Sequence, residues 1–496
     1  MEIELKLALH PRHISRIRRH PLLHAVTPQQ RTLLSIYFDT PKFDLMQRGI
    51  ALRVRQAGDQ WIQTLKAETQ SVGALTSRPE WEMAVAHGRH PDFSALPQAA
   101  LDLLAGIKLK RIAAVFTTEF RRTTWLIGDS AAQAEVALDS GKIFATELSR
   151  DICEVEIELK SGPAEFLFDV ATQLLQQVPL HIEPRSKAER GYILSGALSP
   201  KPVKAIRPGI GRDQPAGEAW HGMVQAALVQ LSANVPGFLE QAENIEYLHQ
   251  LRIALRRLRA SAQLAKSLGQ EIPAWEQPLR TLTHALNPAR DWDVFHQEIL
   301  PGILPVLTAS AENTTASEAA LDLLHNAAAQ ARQRAQALLL EPAFTQLMLD
   351  IGRSLLIAPV TEHMRTTGTW AEVILEKRWQ KLRKCCHGFA RLTPAERHFA
   401  RIAAKKMRYC AEAFAPLYGK RANRFLTALA ALQDELGIEN DRRIALQLLH
   451  KLPHKSATLG FEFGRLSGVL ASEAAQHPRL SPALWHRLAR SKLFWR

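Results

Sequence analysis

Cysteine is scarce, with four residues in 496, at Cys153, Cys385, Cys386 and Cys410. None stands in CxxC spacing and no disulfide framework can be drawn, so a reducing compartment is expected. No apolar run is long enough to span a bilayer, and the chain opens on a charged strand where a signal peptide would begin. The expected location is therefore the cytoplasm, with no membrane partner. Glycine-rich phosphate loops are missing, which excludes a P-loop mechanism. No Ser/His/Asp or Cys/His constellation offers a nucleophile, and the adjacent Cys385 and Cys386 read as buried thiols. The 19 histidines are scattered singly beside Arg or Pro and read as solvated or capping residues.

What the chain does hold is strands with one charged and one apolar face. In Glu2-Ile3-Glu4-Leu5-Lys6 the side chains alternate, so Glu2, Glu4 and Lys6 share a face opposite Ile3 and Leu5. A near copy follows at Glu154-Val155-Glu156-Ile157-Glu158-Leu159-Lys160. Arg53 and Arg55 alternate with Leu52 and Val54, Arg78, Glu80 and Glu82 flank Trp81, and Glu135 and Asp139 share a parity. One such strand fits a solvated sheet face. Several strands mixing acids and bases fit a barrel with a charged lumen and apolar outer walls packed by helices. Strands are expected near residues 2–8, 33–39, 50–56, 60–67, 80–86, 115–127, 133–139 and 153–160, with helices over residues 167–178 and 13–23.

Five motifs in order carry a family likeness: EIELK at Glu2, YFDTP at Tyr37 to Pro41, LRVR at Leu52 to Arg55, TLK ending at Lys66, and SKAERGY at Ser186 to Tyr192. Together they resemble the CYTH family, or triphosphate tunnel metalloenzymes, over roughly the first 195 residues. The resemblance implies an eight-stranded antiparallel β-barrel tunnel with flanking helices. It also implies metal ligation by Glu2, Glu4, Glu154 and Glu156, with Asp139 a further ligand. Some relatives carry an acid at the position of Ala137, and here Glu135 or Asp139 would compensate. Lys6, Arg53, Arg55, Lys66, Arg122 and Lys187 take the places of the family's phosphate-contacting bases. Arginine's planar fork suits two oxygens of one phosphate, and lysine acts as a point charge. Arg78 and Glu80 are weaker candidates, because a mutual ion pair would account for both.

At this length two or more domains are expected. The net charge of +14 is uneven: residues 1–200 hold 24 basic and 23 acidic side chains, the remainder 39 and 26. A polyanionic partner is therefore expected for the C-terminal part. Residues 199–217 are rich in Pro and Gly and read as a linker between a domain at 1–198 and one at 218–496. Beyond the linker the periodicity is helical throughout, and it repeats. His249, Arg252, Arg256, Arg257 and Arg259 match His398, Arg401, Lys405, Lys406 and Arg408 at an offset of 149, and Asn287 with Asp291 matches Gly437 with Asp441 at an offset of 150. A duplicated helical bundle follows, giving α+β overall. On a helix His249, Arg252, Arg256 and Arg259 form one stripe, and His398, Arg401, Lys405 and Arg408 form its twin. This segment, with NPARDWDV after the first stripe, resembles the CHAD domain, which implies polyphosphate binding across a groove between the stripes. Aromatics for base stacking are missing from these helices, so nucleic acid is the weaker partner.

A triphosphate crowds negative charge on adjacent phosphorus centres, and cleaving it needs charge neutralisation, a metal and an in-line water. Carboxylates suit hard cations such as Mg²⁺ or Mn²⁺. The first expectation is a metal-dependent hydrolase of inorganic triphosphate, with Glu2, Glu4 and Lys6 at the catalytic centre and a metal-bound water as nucleophile. The alternatives are adenylate cyclase or thiamine triphosphatase activity, or a polyphosphate-binding protein whose barrel is vestigial.

Overall fold

A computed structural model describes residues 2–67, 71–72, 75–88, 90–308, 314–356, 365–453, 456–476 and 481–496. Eleven strands build one sheet: β1 Glu2–Leu9, β2 Gln29–Asp39, β3 Ile50–Ala57, β4 Gln60–Ala67, β5 Ser71–Val72, β6 Leu75–Arg78, β7 Glu80–Val85, β8 Ala113–Gly128, β9 Gln133–Ala145, β10 Leu148–Ser161 and β11 Leu180–Ile182. The order is β5-β6-β1-β10-β9-β8-β2-β3-β4-β7, with β11 on β1. Every pairing is antiparallel. The expected eight strands are all present, and the class is α+β. Two corrections apply: β5, β6 and β11 were not anticipated, and pairing among the described residues does not close the sheet into a barrel. All three extra strands are four residues or shorter, too short to show a period-2 pattern.

Register decides which residues share a face, because directly opposed residues point the same way. Lys6 opposes Glu156 and Ala8 opposes Glu154. Glu154 opposes Asp139, Asp139 opposes Arg122, Ser35 opposes Thr118, Ser35 opposes Arg55, and Lys66 opposes Ala51 and Glu80. The charged residues of seven strands thus fall on one face. The other face is apolar. Leu5, Leu7, Val155 and Ile157 are fully buried, and the helix Glu165–Leu175 buries Leu167, Val170, Ala171 and Leu174 at the spacing the sequence shows. Each Leu, Ile or Val among them contributes about 1.5–3 kcal/mol when fully removed from water. A second apolar layer gathers Phe38, Leu52, Val54 and Leu65 under Leu96, Ala100 and Leu104.

The helix expected over residues 13–23 is broken in two, Ile14–Arg18 and Pro21–His24. His20 is extended, its ring accepts the Leu22 N–H, and Pro21 opens the second piece, a position where its missing N–H costs nothing.

The remainder is helical, led by Ala216–Glu240, Ile245–Leu264, Thr314–Leu339, Thr367–Cys385, Pro394–Phe414 and Arg421–His450. The chain divides into two compact units. Met1–Val203, Leu228–Glu240 and Leu339–Ala358 make one, and Lys204–Ala227, Gln241–Leu338 and Pro359–Arg496 make the other. No helix among the described residues is long and apolar enough to cross a membrane.

Candidate functional site

The YFDTP turn is built around Asp39, which is buried. Its carboxylate accepts from the backbone N–H of Thr40, Leu45 and Met46 at 2.7, 3.0 and 3.0 Å, and from the Tyr192 hydroxyl at 3.0 Å. Tyr192 lies on the helix Lys187–Leu194, capped by the Ser186 hydroxyl. One carboxylate therefore ties two of the sequence motifs together and holds the helix that delivers Lys187 and Arg190 to the charged face.

On that face the acids converge. One carboxylate oxygen each from Asp139, Glu154 and Glu156 lies within 4.8 Å of the others. Asp139 and Glu154 are fully buried. Lys187 Nζ contacts Asp139 at 2.7 Å and Glu156 at 2.8 Å and also touches Glu154. Arg122 meets Asp139 through Nε at 2.8 Å and Nη2 at 2.6 Å, and reaches Glu156 as well. Arg190 bonds Glu154. Burial alone would raise the Glu156 carboxyl, but Lys187 and Arg122 hold it well below the usual carboxylate range. Burial likewise works against the Lys187 ammonium, and the three carboxylates raise it above an ordinary lysine nonetheless. Lys6 shows the opposite balance: burial dominates and lowers its pKa, aided by Arg190 and opposed by Glu154 and Glu4.

Beyond the acids stands a wall of bases. Arg55 donates through Nε to Ser35 at 3.0 Å. Burial first, then Arg53 and Arg122, pull its pKa down to about 9. Arg53 Nη2 lies 3.7 Å from Glu80 and 3.8 Å from Glu82, and Lys66 lies 2.7 Å from Glu80. The Arg53 Nε is a buried donor without a hydrogen-bond partner among the described residues, which is costly unless an anion accepts it. Phe120 carries Lys187, Arg122 and Arg55 around its ring at 5.0, 5.7 and 5.9 Å.

Of the expected metal ligands the fold brings together Asp139, Glu154 and Glu156. Glu4 is buried on β1 opposite Glu158 and is not one of the converging three. The side chains of Glu2 and Arg78 lie outside the described residues. Glu135 lies 3.9 Å from Lys160, which also holds Glu158 at 2.7 Å. Three carboxylates in one small volume are a hard, all-oxygen donor set suited to Mg²⁺ or Mn²⁺. Arg190 was missed, although its place three residues after Lys187 on one helix signals a shared face.

In the second unit the helices Ile245–Leu264 and Pro394–Phe414 bring the two basic stripes together. Arg256 lies over the Tyr409 ring at 5.7 Å. Burial, Arg401 and Arg256 lower the Lys405 ammonium to about 8, and burial with Arg256 lowers Arg252 to about 10. Arg401 lies 3.7 Å from Asp441. Asp291, its repeat counterpart, is raised by burial, with Arg252 opposing and Asp441 adding to the shift. The Nε atoms of Arg256 and Arg401 are buried without a hydrogen-bond partner among the described residues. Arg259 pairs with Glu276 at 3.5 Å and Arg408 with Glu412 at 2.7 Å. His249 is half-buried with its pKa lowered by burial and Arg290, and His398 is exposed. The Cys386 thiol is buried and pushed up to about 12, poorly suited to a nucleophile.

Residues 1–192 match the CYTH domain family and residues 222–450 match the CHAD domain family. An inorganic triphosphatase from Haemophilus influenzae is 34% identical over 194 residues, 39% of this chain and 54% of that protein. The match thus spans about half the length of that curated relative. The crystal structure of a CHAD domain from Ricinus communis is 26% identical and superimposes with a TM-score of 0.52, covering 59% of this chain and 98% of that one. A Hippeastrum protein with a dominant triphosphatase activity is 17% identical, with a TM-score of 0.29 over 40% of this chain and 98% of that one.

Proposed function

For a chain that carries a CYTH domain followed by a CHAD domain, we propose hydrolysis of inorganic triphosphate to diphosphate and phosphate on the charged face of the sheet, with polyphosphate bound by the helical part. Residues 1–198 carry the hydrolytic site, 199–217 link, and 218–496 bind the polyanion. The observation that supports this most is the close approach of Asp139, Glu154 and Glu156 beside Arg53, Arg55, Lys66, Arg122 and Lys187. The triphosphatase relative supports it independently.

Asp139, Glu154 and Glu156, with Glu4, would hold Mg²⁺ or Mn²⁺. When bound, such an ion neutralises phosphate oxygens and makes water a better nucleophile. The chain's own bases do the rest. Arg53 and Arg55 grip non-bridging oxygens, Lys66 and Lys6 hold the ends of the triphosphate, and Arg122 and Lys187 follow charge as it shifts to the leaving group. Glu156, kept ionised by its neighbours, stays available to orient the attacking water as a hydrogen-bond acceptor. In the helical part Arg252, Arg256, Arg401 and Lys405 would accept successive phosphates, relieving their mutual repulsion.

The test is phosphate release from inorganic triphosphate by the purified protein, with and without Mg²⁺ or Mn²⁺, beside ATP, thiamine triphosphate and long-chain polyphosphate. Metal-dependent release from inorganic triphosphate supports the proposal. Preference for an organic triphosphate moves the reading to another activity, and silence on all four removes the enzyme reading.

A further inference from the structure

Lys6 spends one of its three N–H bonds away from the acids, donating to the Arg185 backbone carbonyl at 2.5 Å. That carbonyl is held with unusual firmness. The Arg185 backbone N–H donates to Glu183 at 3.1 Å, and its guanidinium grips the same carboxylate through Nε and Nη2, both at 2.9 Å. The other edge of the guanidinium forks onto Glu240 through Nη1 at 2.8 Å and Nη2 at 2.7 Å. Arg185 and Glu183 are buried. Glu240 ends the helix Ala216–Glu240, well beyond residue 192, yet Leu228–Glu240 belongs to the same compact unit as the sheet.

We propose that Glu240 is a positioning residue for the triphosphate site, fixing Arg185 so that its carbonyl aims the Lys6 ammonium at the substrate. A planar guanidinium clamped on both edges cannot rotate, so the Arg185 peptide keeps one orientation. Lys6 is a flexible lysine whose use depends on being pointed. Glu183 alone leaves one edge of the fork open. Glu240 thus completes the site from a segment outside the matched CYTH residues. Its other partner, Arg150, donates to the same Oε1 that takes the Arg185 Nη2, while Oε2 is left to Arg185 Nη1.

The inference rests on the triphosphatase reading, and the experiment separates the two. Glu240→Ala, Glu240→Gln and Arg150→Ala are compared with the unaltered protein in kcat and KM for inorganic triphosphate, with thermal midpoints recorded for each. Loss of the charge-assisted fork should raise KM about tenfold in Glu240→Ala with kcat within about twofold. Glu240→Gln, which keeps one acceptor, should fall between, and Arg150→Ala should leave KM within about twofold. A lowered thermal midpoint with unchanged KM would make Glu240 a structural residue only and overturn the proposal. If the unaltered protein releases no phosphate, the enzyme reading fails. Calorimetric binding of triphosphate then reads the same relay, a tenfold weakening in Glu240→Ala supporting it and equal affinity overturning it.

Discussion

The charged face of the sheet and the basic patch of the helices use the same residue types to opposite electrostatic effect. On the sheet Lys187 sits among three carboxylates, and its ammonium is raised above the ordinary lysine value despite complete burial. In the helical patch Lys405 makes no ion pair among the described residues and, half-buried beside Arg401 and Arg256, drops to about 8. Burial works against the ammonium in both places, more fully at Lys187, and the neighbours set the sign. Around Lys187 acids and bases balance before any ligand arrives, whereas Arg55, beside Arg53 and Arg122, shares the repulsion of the helical patch. The helical patch stores repulsion that only an anion relieves.

The sharpest way to break that contrast is to remove the central acid of the sheet. Asp139→Asn takes from Arg122 and Lys187 one of the two carboxylates they share, leaving Glu156, and should cost about 3 kcal/mol in denaturant unfolding and bring phosphate release to background. Retained stability would mean that Asp139 contributes little to the balance.

Lys187→Met makes the reverse change, leaving Asp139, Glu154 and Glu156 without their central cation. It should cost about 3 kcal/mol in metal-free buffer, most of it regained in saturating Mg²⁺, where ligand linkage supplies about 2.7 kcal/mol at a hundredfold excess over Kd. If Mg²⁺ shifts the melting of the variant no more than that of the parent, the three acids do not bind the ion.

In the helical patch, Arg252→Ala combined with Arg401→Ala should weaken polyphosphate binding about tenfold or more and flatten its salt dependence by about 0.7 per lost contact. Arg259→Ala and Arg408→Ala, already paired with Glu276 and Glu412, should change affinity less than about threefold. Equal effects in all four would restore the full stripes as the binding unit.

The smallest effect concerns Lys405. Its folded pKa of about 8 lies below that of an unfolded lysine, so the fold carries the whole penalty below pH 8 and none once both states are neutral. Lys405→Met should therefore stabilise by about 1 kcal/mol at pH 7, with the gain fading as pH rises from about 8 towards about 10.4. Polyphosphate affinity of the parent should fall through the same lower limit as Lys405 loses its proton. A stability gain independent of pH would place the effect in packing.

Much of this was legible in the residues. Alternation in Glu2 to Lys6 and in Glu154 to Lys160 marked a charged and an apolar face, since a strand sends neighbours to opposite sides. The repeat of Arg252 at Arg401, and of Asp291 at Asp441, announced a duplicated helical unit. The short strands β5, β6 and β11 were not visible, because two to four residues cannot establish a period.

Spacing in the sequence thus determined which residues share a strand face or a helix stripe, a matter of local backbone geometry. Only the tertiary structure decided which of them meet. It joined Asp139 to Glu154 and Glu156 through the β9 and β10 register. It paired Arg259 with Glu276 and Arg408 with Glu412, although both align with the basic stripes on a helical wheel. It also brought Glu240 onto Arg185, because hydrogen-bond partners far apart in the chain are chosen by packing, which no local pattern encodes.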